Sequence, residues 1–171
     1  MCDLLREFSA MRGKLKAMET MVKNSENQIL ELRNKARTKV IFSTVVGVDG
    51  TIGPFNTDIT LIFRRVITNI GKAYNRATGI FTAPVSGVYY FTIFFHAGGE
   101  HEAKLLLFKN SELMVMTHDH KSDTETADNG GNAVFMELQR GDHVYVRLPA
   151  NSIIWGYDHH TTFSGFLVTQ L

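Results

Sequence analysis

The sequence predicts an all-β antiparallel sandwich preceded by an N-terminal α-helical coiled coil. Three observations support this fold class. Apolar residues recur in heptads over residues 1–36, a pattern typical of helices that lie side by side. After residue 38, short β-branched or aromatic segments alternate with turns, as they do in sandwiches and barrels. No helical period follows, so the crossover helices of a parallel α/β sheet are not expected.

The length and composition indicate one ordinary domain with an appendage. Of the 171 residues, we assign 1–38 to a coiled-coil stalk and 39–171 to a globular head. The net charge of +1 favours neither nucleic acid nor an anionic membrane surface as a partner. No apolar run is long enough for membrane insertion, and the single cysteine excludes an internal disulfide framework.

The stalk prediction depends on its heptad positions. With Met1 at position a, every a and d position up to residue 36 is apolar except Ser25. Such a seam is useful only to a chain that has helical partners, although its mixed residues do not select their number. The alternative is a single amphipathic helix folded on its own domain, which usually has a wider apolar stripe. The residues predicted to contact other chains are Leu4, Phe8, Met11, Leu15, Met18, Val22, Ile29 and Leu32.

Cys2 lies at the outer end of the predicted stalk. In an oxidising compartment, a thiol at this place is a candidate for a disulfide between chains. The alternative is a free terminal thiol.

Residues 39–171 contain the predicted strands. Short extended segments are expected at Val40–Val46, around Thr51 and Ile52, and at Thr60–Arg65, Gly79–Phe81, Gly87–Ala97, Lys104–Lys109, Leu113–His118, Asn132–Leu138, His143–Leu148 and Thr162–Val168.

The segment Gly87–Phe95 is uncharged, and both of its strand faces are apolar or aromatic. A strand with one wet face would alternate apolar and polar residues. We therefore expect a second sheet to cover one face and another subunit to cover the other. Tyr89 and Phe91, or their neighbours on the opposite face, are predicted to lie at the subunit interface.

A spaced set of residues runs through the head: Phe63, Asn69, Tyr74, Phe81, Gly87, Tyr89 and Phe91. This set resembles the signature of the complement C1q globular-head family, also described as C1q/TNF-like. Further resemblances are Gly141–Val144 and Thr162–Leu167, and the match covers about residues 40–171. Ile93 stands where the family pattern has an aromatic residue.

The resemblance implies a ten-stranded jelly-roll head, similar to tumour necrosis factor, that associates as a homotrimer. It also implies a short, non-collagenous, secreted protein of innate immunity that binds protein or carbohydrate ligands by avidity. The alternative is a signalling ligand, similar to cerebellin-type or hormone-like members, that clusters a cell-surface receptor. Without a Gly-X-Y repeat, this chain is not expected to activate complement through a collagen stalk.

The N-terminal residues bear on localisation. The segment Met1–Glu7 lacks the apolar region of a signal peptide. Because family members of this kind are usually secreted, we expect the chain to be a mature or truncated form of an extracellular protein.

Enzyme motifs are missing from the sequence. It contains no Gly-x-Ser-x-Gly elbow and no phosphate-binding loop, and its cysteine lies in the stalk rather than in the head. We therefore predict a non-enzymatic protein.

Histidines occur near carboxylates in the predicted loops, a combination that can bind zinc. Their spacing matches no zinc motif, and the alternative is that they are solvated loop residues. The groups are His96 with His101, His118 with Asp119 and His120, and Asp158 with His159 and His160.

The longest polar segment, Asp119–Asn132, contains no large apolar residue and is predicted to be an exposed loop. Its carboxylates Asp123, Glu125 and Asp128 are candidate calcium ligands, since hard cations prefer oxygen and some members of the resembled family bind calcium. The alternative is a soluble loop that binds no ion. We assign ligand recognition to this loop together with Ala97–Glu102 and Asn151–His160.

Overall fold

The computed structural model describes residues 2–122, 124, 126–157 and 159–171. The chain divides into two compact units between Thr38 and Lys39. The first unit contains one helix, α1 (Cys2–Arg37), with Asp3 in its first turn, where a negative charge complements the helix dipole. From Asp3 to Asn34, every side chain of α1 is exposed. Within the described residues, no helix combines the length and the apolar character needed to cross a lipid bilayer.

The second unit is built from β-strands. In the described residues they are β1 (Ile41–Val45), β2 (Thr51–Ile52), β3 (Ile59–Thr60), β4 (Arg65–Ile70), β5 (Tyr74–Asn75), β6 (Ile80–Thr82), β7 (Gly87–Gly98), β8 (Ala103–Lys109), β9 (Glu112–Asp119), β10 (Ala127–Leu138), β11 (His143–Leu148), β12 (Ile154–Trp155) and β13 (Thr162–Gln170).

These strands form two main sheets. One has the order β10-β7-β13-β1-β4, and the other has the order β5-β6-β11-β8-β9 with β3 paired to β11. A small ribbon joins β12 to β2, and the strand pairs are antiparallel. The predicted antiparallel sandwich is therefore confirmed.

The core lies between the two main sheets. On β7, Tyr89, Phe91 and Ile93 alternate inward and are completely buried. The Phe81 ring on the opposite sheet lies 5.2 Å from the ring of Phe91 and 5.2 Å from that of Phe42. Burying each such ring stabilises the fold by about 1.5–3 kcal/mol, so the contact of Phe81 with this aromatic cluster helps to join the sheets.

The signature residues around Tyr74 have a structural role. The Tyr74 hydroxyl donates to the carbonyl oxygen of Phe63 (3.0 Å) and accepts from its N–H (3.1 Å). The Asn69 amide donates to the Tyr74 carbonyl (2.9 Å) and accepts from the Tyr74 N–H (3.3 Å). Desolvation by burial raises the pKa of Tyr74 to about 12. Two side chains thus satisfy backbone groups that no sheet ladder reaches.

The Asp142 side chain connects the β8–β9 turn to the β10–β11 turn. Its carboxylate accepts hydrogen bonds from the Gln139 N–H (2.9 Å) and the Asn110 amide (3.1 Å), and Lys109 lies 3.5 Å away. These contacts, the Gln139 N–H first, lower the pKa of the Asp142 carboxyl. Gly141 has a φ of 93°, a conformation that favours glycine. The Gly141–Val144 resemblance therefore corresponds to a turn-stabilising motif.

Two predicted boundaries require correction. Thr60–Arg65 is not one strand, because β3 ends at Thr60 and β4 begins at Arg65. Asp119–Asn132 is not entirely loop, because β10 begins at Ala127 and pairs with the end of β7. In both places, long-range pairing decides the structure rather than local composition.

Candidate functional site

The predicted recognition loops meet at one end of the sandwich. The Ser122 N–H donates to the Gly99 carbonyl (3.0 Å), and the Ile153 N–H donates to the Glu102 carbonyl (3.0 Å). These bonds join the connections β7–β8, β9–β10 and β11–β13. We call this region the loop end; its described residues are 99–102, 119–122, 151–157 and 159–160.

Four aromatic or imidazole rings lie together at the loop end. The His96 ring is 5.0 Å from the ring of Trp155 and 4.7 Å from that of His160. Tyr157 lies 6.1 Å from Trp155 and is 47% exposed. Gly98 allows this arrangement, because a Cβ there would lie 2.6 Å from a Trp155 ring carbon. The accessible rings offer flat faces to a sugar, a cation or an apolar side chain.

Hydrogen bonds hold this ring cluster in place. The Thr161 hydroxyl donates to the Trp155 carbonyl (2.7 Å). His96 Nδ1 lies 3.1 Å from the Asp128 carbonyl oxygen and 2.8 Å from Asn129 Oδ1. Since a main-chain carbonyl oxygen can only accept, the contact with Asp128 favours the tautomer with its proton on Nδ1. Hydrogen bonds within the chain thus position the His96 ring and the backbone of Trp155.

Glu102, His118 and His120 form a second cluster at the same end. Their potential ligand atoms all lie within 4.8 Å of one another. His118 Nε2 contacts Glu102 Oε1, and the two imidazole rings lie 4.2 Å apart. Lys104 Nζ lies 2.9 Å from Glu102 Oε1. The hydrogen bond from Lys104, together with the nearby His118, lowers the pKa of the Glu102 carboxyl.

An apolar row crosses the outer face of the five-stranded sheet, which we call the sheet row. Tyr90 pairs with Phe135 and Phe166, and Ile41 pairs with Phe166 and Ile70. Directly opposite residues share one face of a sheet. The Tyr90 ring lies 4.6 Å from the ring of Phe135 and 5.6 Å from that of Phe166. These large side chains remain accessible, with Phe135 64% and Ile70 48% exposed.

The burial of Tyr89 and Phe91 corrects one prediction. Tyr89 and Phe91 were expected at a subunit interface, but both are 0% exposed inside the chain's own sandwich. They cannot contact a partner without opening the core. The alternative prediction named their neighbours on the opposite face of β7. On that face the structure has accessible rings, since Tyr90 lies in the sheet row and Phe94 is half exposed.

The remaining predicted site residues fall into three groups. The seam side chains of α1 are exposed, from Ile29 at 49% to Leu4 at 76%. The Cys2 side chain, Asp123, Glu125 and Asp158 lie outside the described residues, so the disulfide and the calcium site remain predictions. Asp128 is described, and its carbonyl oxygen contacts His96.

Sequence analysis did not single out Trp155 and Tyr157 as site residues. The available signal was the aromatic pair itself, in the segment Asn151–His160, which contains one glycine and five polar residues. Strand periodicity gives no reason for two large rings there, and an exposed ring in a loop, as at Tyr157, indicates a contact surface.

Comparison with known proteins identifies relatives of the second unit. The model of the C1q domain family matches residues 42–168. Collagen alpha-1(X) chain of Mus musculus is 33% identical over 112 residues, which cover 64% of this chain and 16% of the collagen chain. Complement C1q tumor necrosis factor-related protein 3 of Homo sapiens is 32% identical over 117 residues, which cover 67% of this chain and 47% of that protein. The match thus spans less than half the length of either relative.

Solved structures share the fold. The globular domain of zebrafish complement 1qA has a TM-score of 0.61 and 20% identity, and covers 78% of this chain and 100% of its own. Eiger TNF from S. frugiperda has a TM-score of 0.64 and 11% identity, and covers 79% of this chain and 96% of its own. Murine APRIL has a TM-score of 0.62 and 9% identity, and covers 77% of this chain and 100% of its own. At these identities, the similarity concerns the fold alone.

Proposed function

This chain belongs to the C1q domain family, and on this basis we propose that it is a secreted, homotrimeric recognition protein that binds ligands through the loop end. Domains of the family bind ligands and are not enzymes. The proposed ligands are protein or carbohydrate groups on microbial surfaces, immune complexes or receptors, in a role in innate immunity.

The observation that carries this proposal is the exposed sheet row. Large apolar side chains from all five strands of one sheet are accessible to water side by side. Contiguous apolar patches of this kind mark association sites on soluble proteins. Other copies of this chain are the proposed cover, because a closed ring of identical chains buries the same residues in every subunit.

The heptad seam of α1 supports the same assembly independently. Its a and d side chains are exposed from Leu4 to Leu32. A parallel coil of these helices would bury the seam residues against each other. Two separate apolar surfaces on one chain would thus be covered by the same partners.

The assembly matters because it multiplies weak sites. Three loop ends on one trimer raise effective affinity by roughly 10²–10⁴ when all can engage at once. The ring cluster supplies planar contacts at each site. We expect measurable binding only to surfaces that present the ligand repeatedly.

Binding of the full chain to bacterial surfaces and to a glycan array tests the proposal. We expect saturable binding that falls at least about tenfold in a Tyr157→Ala/His160→Ala variant, since hot-spot aromatic contacts contribute 2 kcal/mol or more. Both residues are exposed, so the variant should fold. The control is Leu113→Ala. Leu113 is exposed and lies at the start of β9, at the opposite end of this strand from the loop end, so this variant should bind like the wild type.

Binding measurements also distinguish this proposal from the alternative function, a signalling ligand. Saturable binding to one cell-surface receptor, with no glycan or bacterial binding, would instead indicate a signalling ligand that clusters its receptor. Equal binding by the loop-end variant and the wild type would exclude the loop end as the recognition surface.

A further inference from the structure

We propose that Glu102, His118 and His120 form a binding site for a divalent cation of the zinc class. The proposal goes beyond ligand recognition by the ring cluster and does not depend on it. Two imidazole nitrogens and one carboxylate oxygen are a ligand set that zinc takes in proteins, with a further position left open for water or another donor. Calcium, a hard cation, prefers an all-oxygen set, so these residues select against it.

The backbone places the three side chains together. His118 lies near the end of β9, and His120 follows two residues later, so an extended chain directs both to the same side. Glu102 immediately precedes β8, the partner of β9. Its carbonyl oxygen accepts from the Ile153 N–H (3.0 Å). The carboxylate thus comes from a fixed point on the neighbouring strand.

The distances suit one shared ion. Zinc binds nitrogen and oxygen at about 2.0–2.2 Å, so two ligand atoms on one tetrahedral ion lie roughly 3.3 Å apart. The three ligand atoms here lie within 4.8 Å of one another, and both histidines are exposed. Rotation of these surface side chains is enough to close that difference. Zinc binding at His118 Nε2 requires this nitrogen to be unprotonated, so any proton there would pass to the solvent or to Nδ1 of the same ring.

Lys104 makes the proposal specific. It lies directly opposite His118 in the β8–β9 pairing, and its ammonium group is 2.9 Å from Glu102 Oε1. A positive charge at this place repels an incoming cation and competes for the same oxygen. Removing that charge should therefore tighten metal binding at this cluster, whereas binding at a histidine remote from Lys104 should not change.

Equilibrium dialysis of the tag-free full chain against zinc chloride tests the site. We expect one zinc ion per chain, with affinity reduced at least about tenfold in His118→Ala and in His120→Ala and increased in Lys104→Met. His143→Ala, which removes an exposed histidine at the start of β11, should bind like the wild type. Excess calcium should not displace the zinc.

Three results would overturn the assignment. They are the absence of saturable zinc binding, unchanged binding in both histidine variants, and an equal loss in the His143→Ala control. Cobalt provides a second readout, because its visible absorption reports on the number and kind of ligands. Loss of the cobalt spectrum in His120→Ala, with an unchanged far-UV circular dichroism spectrum, would show that the ligand rather than the fold was lost.

Discussion

The hydroxyl of Tyr74 both donates to and accepts from the backbone of Phe63. Asn69 does the same for the backbone of Tyr74 with its amide. At the residue scale, the spacing of Phe63, Asn69 and Tyr74 is therefore a requirement of hydrogen bonding rather than of ligand recognition. Buried polar groups of the main chain are costly when unpaired, which explains why these side-chain types occur at these places.

Replacing Tyr74 with Phe should lower the free energy of unfolding by about 1–3 kcal/mol, because the N–H and carbonyl of Phe63 lose a buried partner. Urea denaturation at one fixed chain concentration measures this change. Tyr157→Phe alters an exposed ring and should shift stability by no more than about 0.5 kcal/mol. Equal effects of the two substitutions would contradict the role given to the Tyr74 hydroxyl.

The same substitution should change the alkaline behaviour. The folded state raises the pKa of Tyr74 from 10.0 to about 12, so it holds a proton that the unfolded chain loses. This contribution to stability is complete below pH 10 and is lost as the pH rises toward 12. The Tyr74→Phe variant should lose less stability over that range than the wild type. Burial also raises the pKa of Tyr89, so Tyr89 should account for part of the loss of stability that the variant still shows.

At the scale of elements, β10 shows why the sequence predicted a loop where the structure has a strand. Gly130 and Gly131 read as loop residues, yet they pair with Phe95 and Phe94 on β7. A Cβ at either glycine would meet those rings. The glycines are present because neighbouring aromatic side chains cover the strand, an arrangement known from designed sheets. The local sequence around these glycines does not indicate which strand they pair with.

The alternation within β7 was predictable, but the choice of the inward face was not. Both faces of Gly87–Phe95 are apolar or aromatic, and periodicity assigns residues to faces without saying which face the second sheet covers. Phe81, on the other sheet, settles this by packing against Tyr89 and Phe91. The ring cluster at the loop end was equally hidden, because it joins residues far apart in sequence.

For α1, charges in the seam should disrupt helical association. Leu15→Lys/Val22→Lys places like charges at two a positions, where partner helices would bury them. We expect a weaker far-UV helical signal and an earlier thermal loss of that signal in the full chain. Thr20→Lys/Asn27→Lys adds the same charge at outer f positions and should behave like the wild type. If both double variants match the wild type, the coiled coil is excluded.

At the scale of the whole molecule, two apolar surfaces in separate units are expected to serve one assembly. The first is the seam of α1, and the second is the sheet row of the head. Obligate interfaces resemble a domain core cut in half, and the sheet row has that composition. If both surfaces act together, neither needs to be strong alone.

Light scattering should find about three times the chain mass of 19.2 kDa for the full chain. Residues 39–171 alone should also form trimers if the sheet row is an interface. In that head, Phe135→Arg/Phe166→Arg should yield single chains, because buried unpaired charges are strongly destabilising. Leu113→Arg, an exposed position outside the row, should leave the mass unchanged. A monomeric wild-type chain at micromolar concentration would refute the multivalent assembly.

Trp155 is the sole tryptophan of the chain, and it lies in the ring cluster beside His96 and Tyr157. Intrinsic fluorescence excited selectively at the indole therefore originates from the loop end, without background from the sandwich interior or from α1. The molecule carries its own optical probe at the surface where recognition is proposed. Quenching or a shift in its emission can be followed during a titration without attaching a dye.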